Sequence, residues 1–485
     1  MSSRAQDESL VAMLSVTLDR NAAEPLVRQL YRTLRELILT RRLAAGARLP
    51  STRKLSRELN VSRTVTLDAF AQLGAEGFID SRRGSGHFVA ELRVPAGDTT
   101  PRAEAAEGAS EISVWSAAGR PFDPAWQAVD LFPSQVWSRM LGRGWRRHQR
   151  SALERHWAGL PVLRAALAQH LHALRGVPLG PEQIMITSGN ADALTLIARS
   201  LGRAGGEQAS AWIEDPGYGA PAQILERERV APVSVRVDAD GLDVSDGERL
   251  APGAAFALVT ATRQFPLGMP LSLGRRLALL DWARRSGGLI VDDDYDGEIR
   301  FAGRPLQSLA GLDPSARVLT LGSFSKLTFP GLRLGYVAGP ADLIARLAEV
   351  RRVPQSLIPS SEQAAFAEFI TTGGLARHLR QLRTYLTQRR LILVEKLRAE
   401  AAELVEIMPQ EVGMQLTIRL APHLAERASD IALAERAAEQ GLVLMPLSPQ
   451  YREAVPEEGF LLGYAGWSEA QLRAGVRELV KLLRS

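Results

Sequence analysis

The strongest constraint on how this chain folds is an alternation. Over residues 113–485, short apolar runs closed by small or polar residues are separated by stretches of helical periodicity. The runs are "QIMITSG", "ASAWIEDPG", "AAFALVTA", "GLIVDDDYD" and "RVLTLGSFS"; residues 191–201, 270–285 and 341–352 are among the helical stretches. Short strands interleaved with helices predict an α/β domain on a mostly parallel sheet flanked by helices. Ligands in such sheets lie beyond the carboxyl ends of the strands, so the residues closing each run are where chemistry is expected.

At 485 residues the chain exceeds one ordinary domain. It has no cysteine, which excludes disulfides, thiolate metal sites and cysteine nucleophiles. The opening "MSSRAQDESLVAML" lacks the basic-then-apolar pattern of a secretion signal, and no apolar run reaches the roughly 18 residues of a membrane helix. A soluble, cytoplasmic protein with no membrane partner is expected. The net charge of +5 is unevenly placed: residues 25–90 carry 12 Lys and Arg against 5 Asp and Glu, and the remainder is slightly acidic. That asymmetry points to a polyanionic partner for the first module, against the plainer reading of a solvated helical surface.

Residues 19–90 read as that module. In "PLVRQLYRTLRELILTRRL" (25–43), Leu26, Leu30, Leu34, Leu37 and Ile38 fall at helical spacing, and a break is expected near Gly46 and Pro50. "STRKLSREL" (51–59) and "SRTVTLDAFAQLGAEGF" (62–78) form two further helices across a tight turn at Asn60 and Val61. This is helix-turn-helix spacing; the first turn of the second helix offers Ser62, Arg63, Thr64 and Thr66 to base edges and phosphates. "FIDSRRGSGHFVA" (78–90) predicts a strand, a glycine-containing turn and a strand, with Arg82 and Arg83 at the tip. Residues 91–112, rich in Ala, Gly, Pro and Glu, read as a flexible linker. An effector domain over 113–485 follows.

Three strand ends in that domain carry candidate chemistry. Ser188-Gly189-Asn190 stands between a strand and a helix, where free N–H groups receive phosphate, although capping serines are also common there. Asp292-Asp293-Asp294 with Tyr295 closes another run; three adjacent carboxylates at a buried strand end repel unless a cation such as a metal or a protonated ring nitrogen is near, and the plain alternative is exposed acids in a loop. No histidine cluster accompanies them to favour metal. "TLGSFSKLTFPGLRLGY" (320–336) sets Lys326 just after Ser323 and ahead of Arg333. A hydroxyl and a guanidinium suit a phosphate, and a lysine between them suits a Schiff base with an aldehyde. Together these requirements describe pyridoxal 5′-phosphate.

"GARLPSTRKLSRELNVSRTVTLDAFAQLGAEGFIDSRRGSGHFV" resembles the winged helix of the GntR family. "ITSG", "IEDPGYG", "RQFPLG", "VDDDYDGEIR", "GRPLQSLAGLD" and "LGSFSKLTFPGLRLGYVAGP" resemble a fold-type I, class I aminotransferase domain. The two in this order resemble the MocR family of regulators. The resemblance implies that Arg53, Ser62, Arg63, Thr64 and Gly84 contact operator DNA. It implies Lys326 as the Schiff-base lysine, Asp293 on the pyridine nitrogen, Tyr295 on the ring oxygen and Tyr218 stacked on the ring. Ser188, Gly189, Asn190, Ser323 and Arg333 would surround the phosphate. It also implies a head-to-tail homodimer and an amine or amino-acid effector, or pyridoxal phosphate itself.

The chain departs from the family at several places. Arg263 and Leu267 stand where the family often has His and Thr, and Ala191 where it often has Gln. Leu461, in "GFLLGYAG", occupies the position at which many aminotransferases clamp a substrate carboxylate with Arg. Arg263 reads as a surface arginine more readily than as a replacement clamp. A sensing domain is therefore expected over the alternatives, an active aminotransferase tethered to DNA or a domain serving only as a dimerisation scaffold.

Overall fold

In the computed structural model the described residues are 18–20, 22, 24–82, 85–91, 120–147, 155–175, 178–201, 208–301, 307–313, 315–352, 358–410 and 413–485. Two compact units divide the chain, residues 1–115 and 116–485. Of the expected linker, only Glu91 is among the described residues.

The first unit has three helices, α1 (Leu26–Leu39), α2 (Thr52–Glu58) and α3 (Arg63–Ala75), and a hairpin of β1 (Ile79–Arg82) and β2 (Gly86–Val89). The leucines predicted to share a face do so: Leu30, Leu34 and Leu37 are buried with Leu55, Phe70, Leu73, Ile79 and Val89. The α1 helix stops well before Gly46. Arg41 takes a left-handed φ of 59°, and the Leu43 N–H turns back to the Leu37 carbonyl at 2.9 Å. The helix is thus closed by a left-handed residue that is not glycine, and the turn returns Leu43 to the core. The hydroxyls of Ser51 and Ser62 cap α2 and α3 by accepting from the Lys54 and Val65 amides. The left-handed Asn60 supplies the turn between them. In the wing, Ile79 pairs with Val89 and Arg82 with Gly86.

The second unit is built on an eight-stranded sheet. Its strands are β3 (Ile184–Thr187), β4 (Ser210–Asp215), β5 (Ala231–Asp238), β6 (Gly241–Leu242), β7 (Phe256–Val259), β8 (Leu289–Asp293), β9 (Val318–Ser323) and β10 (Gly335–Ala338). They are ordered β3-β10-β9-β8-β7-β4-β5-β6. Neighbours from β9 through β5 run parallel; β10 is antiparallel to both its neighbours and β6 to β5. All five apolar runs are strands of this sheet. The helices Asn190–Leu201, Leu273–Ser286 and Ala341–Arg352 are the predicted ones, the second starting after Ser272 caps it. A smaller antiparallel sheet follows the 27-residue helix Gly374–Glu400, with β11 (Val405–Ile407), β12 (Gln415–Leu420), β13 (Met445–Pro446) and β14 (Gly459–Gly463) in the order β11-β12-β14-β13.

Candidate functional site

The carboxyl ends of β3, β8 and β9 lie at one edge of the large sheet, and pairing fixes their levels. Asp293 stands opposite Leu321, Ser323 opposite Gly335, and Gly335 opposite Thr187. Beyond β3, Ser188 and Gly189 turn into the helix Asn190–Leu201, Gly189 with a left-handed φ of 113°. A Cβ at position 335 would sit 2.7 Å from the Gly322 carbonyl oxygen and 3.0 Å from the Gly189 Cα, so β10 passes this turn only as glycine. The Ser188 N–H donates to Asp192 Oδ2 at 3.0 Å, and the buried guanidinium of Arg351 holds the same oxygen at 2.8 Å. The turn is thus clamped from behind while the first amides of the helix point along its axis. Asn190 Nδ2 donates to Asp293 Oδ1 at 2.5 Å, tying two strand ends together. Burial pushes the Asp293 carboxyl up to about 6, against the opposing pull of Lys326 and Asn190.

Lys326 occupies a tight turn after β9. The Phe324 carbonyl accepts from the Leu327 and Thr328 amides and from the Thr328 hydroxyl, and His378 Nε2 bonds to the Leu327 carbonyl at 2.8 Å. The Lys326 Nζ stands 4.4 Å from the centroid of the Tyr295 ring. The residue as a whole is exposed. Protein crowding the amine lowers its pKa by burial, and Asp296 and Asp293 resist that shift. A lysine so placed gives up its proton more readily and becomes a better nucleophile. Ser323 is half-buried at the end of β9, and Arg333 is exposed with a left-handed φ of 47°. Tyr218, just before the helix Gly219–Arg227, is 60% exposed and meets the Phe265 ring edge-on at 5.7 Å.

Arg263 is not a surface residue. It is fully enclosed, donating to the Tyr295 hydroxyl at 2.5 Å, to Asp296 at 3.2 Å and to the Gln415 carbonyl at 3.2 Å. Burial pulls its pKa down, and Tyr295, Asp296 and Tyr464 more than offset this. The cost of desolvating an arginine made exposure the safer expectation, but the buried carboxylate of Asp296, 33 residues away in sequence, supplies the countercharge. Leu461 on β14 is wholly buried in an apolar cluster with Val237, Phe265, Leu267, Tyr295 and Leu447. Among the described residues no three acidic or histidine side chains converge as a metal-ligand set.

Residues 146–479 match the family described as aminotransferase class I and II, and residues 26–89 match bacterial regulatory proteins of the gntR family. A Rhizobium meliloti protein described as a probable rhizopine catabolism regulatory protein, MocR, is 36% identical over 481 residues, spanning 96% of this chain and 95% of that one. The chain belongs to the MocR-type transcriptional regulators. The Corynebacterium glutamicum pyridoxine biosynthesis transcriptional regulator PdxR is a further relative, 27% identical over 97% of this chain and 98% of its own. Among solved structures, a multiple substrate aminotransferase from Thermococcus profundus superposes with a TM-score of 0.69 over 78% of this chain and 95% of its own, at 25% identity.

In this MocR-type chain, Arg53 is exposed in the first turn of α2, and Ser62, Arg63 and Thr64 are exposed at the start of α3. Thr66, expected to face a nucleic acid with them, is instead buried, its hydroxyl on the Thr52 and Arg63 carbonyls. It braces α3 against α2. Arg82 lies over the Phe88 ring at 4.6 Å; Arg83 and Gly84 lie outside the described residues.

Sequence reasoning missed four participants. Asp296 and the inward turn of Arg263 carried no local signal. Gly335 did: a glycine inside a strand marks close backbone approach. The Arg351–Asp192 pair joins residues 159 apart in sequence and was invisible to local pattern.

Proposed function

We propose that this MocR-type regulator binds operator DNA through its N-terminal winged helix and pyridoxal 5′-phosphate through its aminotransferase-like unit, which reads an amine effector. The observation that carries the reading is the convergence of Lys326, Asp293, Tyr295 and Asn190 at one sheet edge. The residues fit the cofactor. Burial raises the Asp293 pKa despite the pull of Lys326 and Asn190, and a protonated ring nitrogen would add a countercharge beside it. The Asn190 Oδ1 is buried without a protein donor, and a Cβ at Gly189 would meet only open space beside the helix start.

When bound, the cofactor supplies an electrophilic carbon to which amines attach. The protein supplies everything else. Lys326 holds that carbon covalently. Asp293 keeps the ring nitrogen protonated, positioned by Asn190. The Tyr295 hydroxyl, which accepts from Arg263, keeps its own proton to donate to the ring oxygen. Tyr218 covers the ring face, and Ser188, Gly189, Asn190, Ser323 and Arg333 receive the phosphate, the glycine and asparagine through backbone N–H groups. Arg53, Ser62, Arg63, Thr64 and Gly84 contact the operator. The chain acts as a cytoplasmic head-to-tail homodimer on two half-sites and senses its effector without turning it over.

The test is spectroscopic and functional. Protein purified with pyridoxal phosphate should show a visible absorbance band that Lys326→Ala abolishes. Operator affinity or bending should change on adding the cofactor or an amine. No band, or DNA binding identical in every condition, would sink the proposal.

A further inference from the structure

We infer that the ligand received beside Lys326 is a primary amine whose body carries no carboxylate or other anionic group, rather than an amino acid. The inference rests on the proposed reading of Lys326 as the covalent cofactor lysine, and three observations lead to it.

The first is the wall. Tyr295, whose ring lies 4.4 Å from the Lys326 Nζ, belongs to an apolar cluster with Leu461, Phe265 and Leu267. A carboxylate set against this wall would lose water and, among the described residues of the cluster, meet no cationic group. The second is Arg263, the guanidinium in that wall. Its side chain is only 1% exposed; Nη1 donates to Tyr295 and Asp296 and Nη2 to the Gln415 carbonyl, while Nε is buried without a bond. Gly413 closes in behind it, where even a Cβ would lie 2.6 Å from the Nε. A ligand carboxylate would have to break a buried ion pair to reach it. The third is the local field. The groups acting on Lys326 are the carboxylates of Asp296 and Asp293 against the one guanidinium. With Arg263 balancing Asp296 and the ring nitrogen balancing Asp293, that set offers an incoming anion no unpaired positive charge.

The exchange balances. The ligand nitrogen would take over the carbon–nitrogen double bond that the Lys326 nitrogen holds, and its two protons would pass to the lysine nitrogen, which leaves as the free amine. No electrons are transferred.

The test uses the full-length holoprotein and matched pairs: phenethylamine with phenylalanine, isopropylamine with alanine, butylamine with 4-aminobutyrate. Each is titrated against the visible band. At least one amine should half-saturate the shift at a concentration lower than its carboxylate partner by about tenfold or more, the scale set by one unpaired charged group. Leu461→Arg should narrow that ratio wherever the variant keeps its band. A carboxylate partner that acts at equal or lower concentration in every pair, or a band that responds to neither member of any pair, overturns the inference while leaving the cofactor reading intact. So does an unchanged ratio in a band-bearing Leu461→Arg protein. A holoprotein with no band takes down the proposed function, and the inference with it.

Discussion

Burial sets the charges of the site one residue at a time. Arg263 and Asp296 are both enclosed, so each is tolerated only because of the other. Arg263→Leu strands the Asp296 carboxylate and frees the Tyr295 hydroxyl. It should cost about 3–5 kcal/mol of unfolding free energy, read by urea denaturation, whereas a cost under about 1 kcal/mol would mean the pair is dispensable. Asp293 makes a pH prediction. Its carboxyl titrates at about 6, above the ordinary carboxylate range, so the stability it contributes is present at low pH and lost as pH rises through about 6. Glu214, buried on Thr260 and raised to about 7, behaves the same way. A protonated ring nitrogen relieves Asp293 but not Glu214. The melting-temperature rise on adding pyridoxal phosphate should therefore be larger at about pH 8 than at about pH 5, and Asp293→Asn should flatten the difference. A rise independent of pH in the unsubstituted protein would separate Asp293 from the ring. At this scale the sequence marked candidate residues at strand ends but not which side chains are enclosed. Lys326 and Asp293 announced themselves at strand ends; Arg263 did not, because its countercharge sits 33 positions away and is brought near only by the sheet.

Elements were more legible, because hydrophobic period and capping are local. The five runs became strands and the marked stretches became helices, while α1 ended early because Arg41 took the left-handed turn expected of glycine. What local pattern did not show was strand order. That β10 enters antiparallel between β3 and β9 is a long-range fact, yet it brings Gly335 against the turn at Gly189. Gly335→Ala puts a methyl group where backbone already stands. The turn must move, and pyridoxal phosphate affinity should fall by about 1–3 kcal/mol, roughly five- to 150-fold, with the far-ultraviolet circular dichroism unchanged. Undiminished affinity in the folded variant would show that the turn does not cradle the phosphate. Gly189 itself, facing open space, is a poorer probe, since its substitution strains φ as well.

For the whole molecule, the charge asymmetry read from the sequence is confined to residues 25–90, with 12 Lys and Arg against 5 Asp and Glu, and that stretch is the winged helix of the first of two compact units. If only the first unit meets phosphates, the fall of operator affinity with salt is a property of that unit, and its slope counts the phosphates neutralised. Three variants then separate the roles. Arg63→Ala, exposed at the start of α3, should lose about 1–3 kcal/mol of operator affinity, and Arg41→Ala, at the end of α1, no more than about 0.5 kcal/mol. Lys326→Ala should abolish the absorbance band and the amine response while leaving the slope of log affinity against log salt unaltered, because the lysine lies outside the basic stretch 25–90 and in the other unit. The operator itself should stay bound in that variant, with its affinity frozen at one value whatever amine is added. A salt slope that changes with Lys326→Ala would mean that the effector unit, or a surface it controls, itself touches DNA. The division of labour inferred from charge would then be replaced by a single interface shared between the two units.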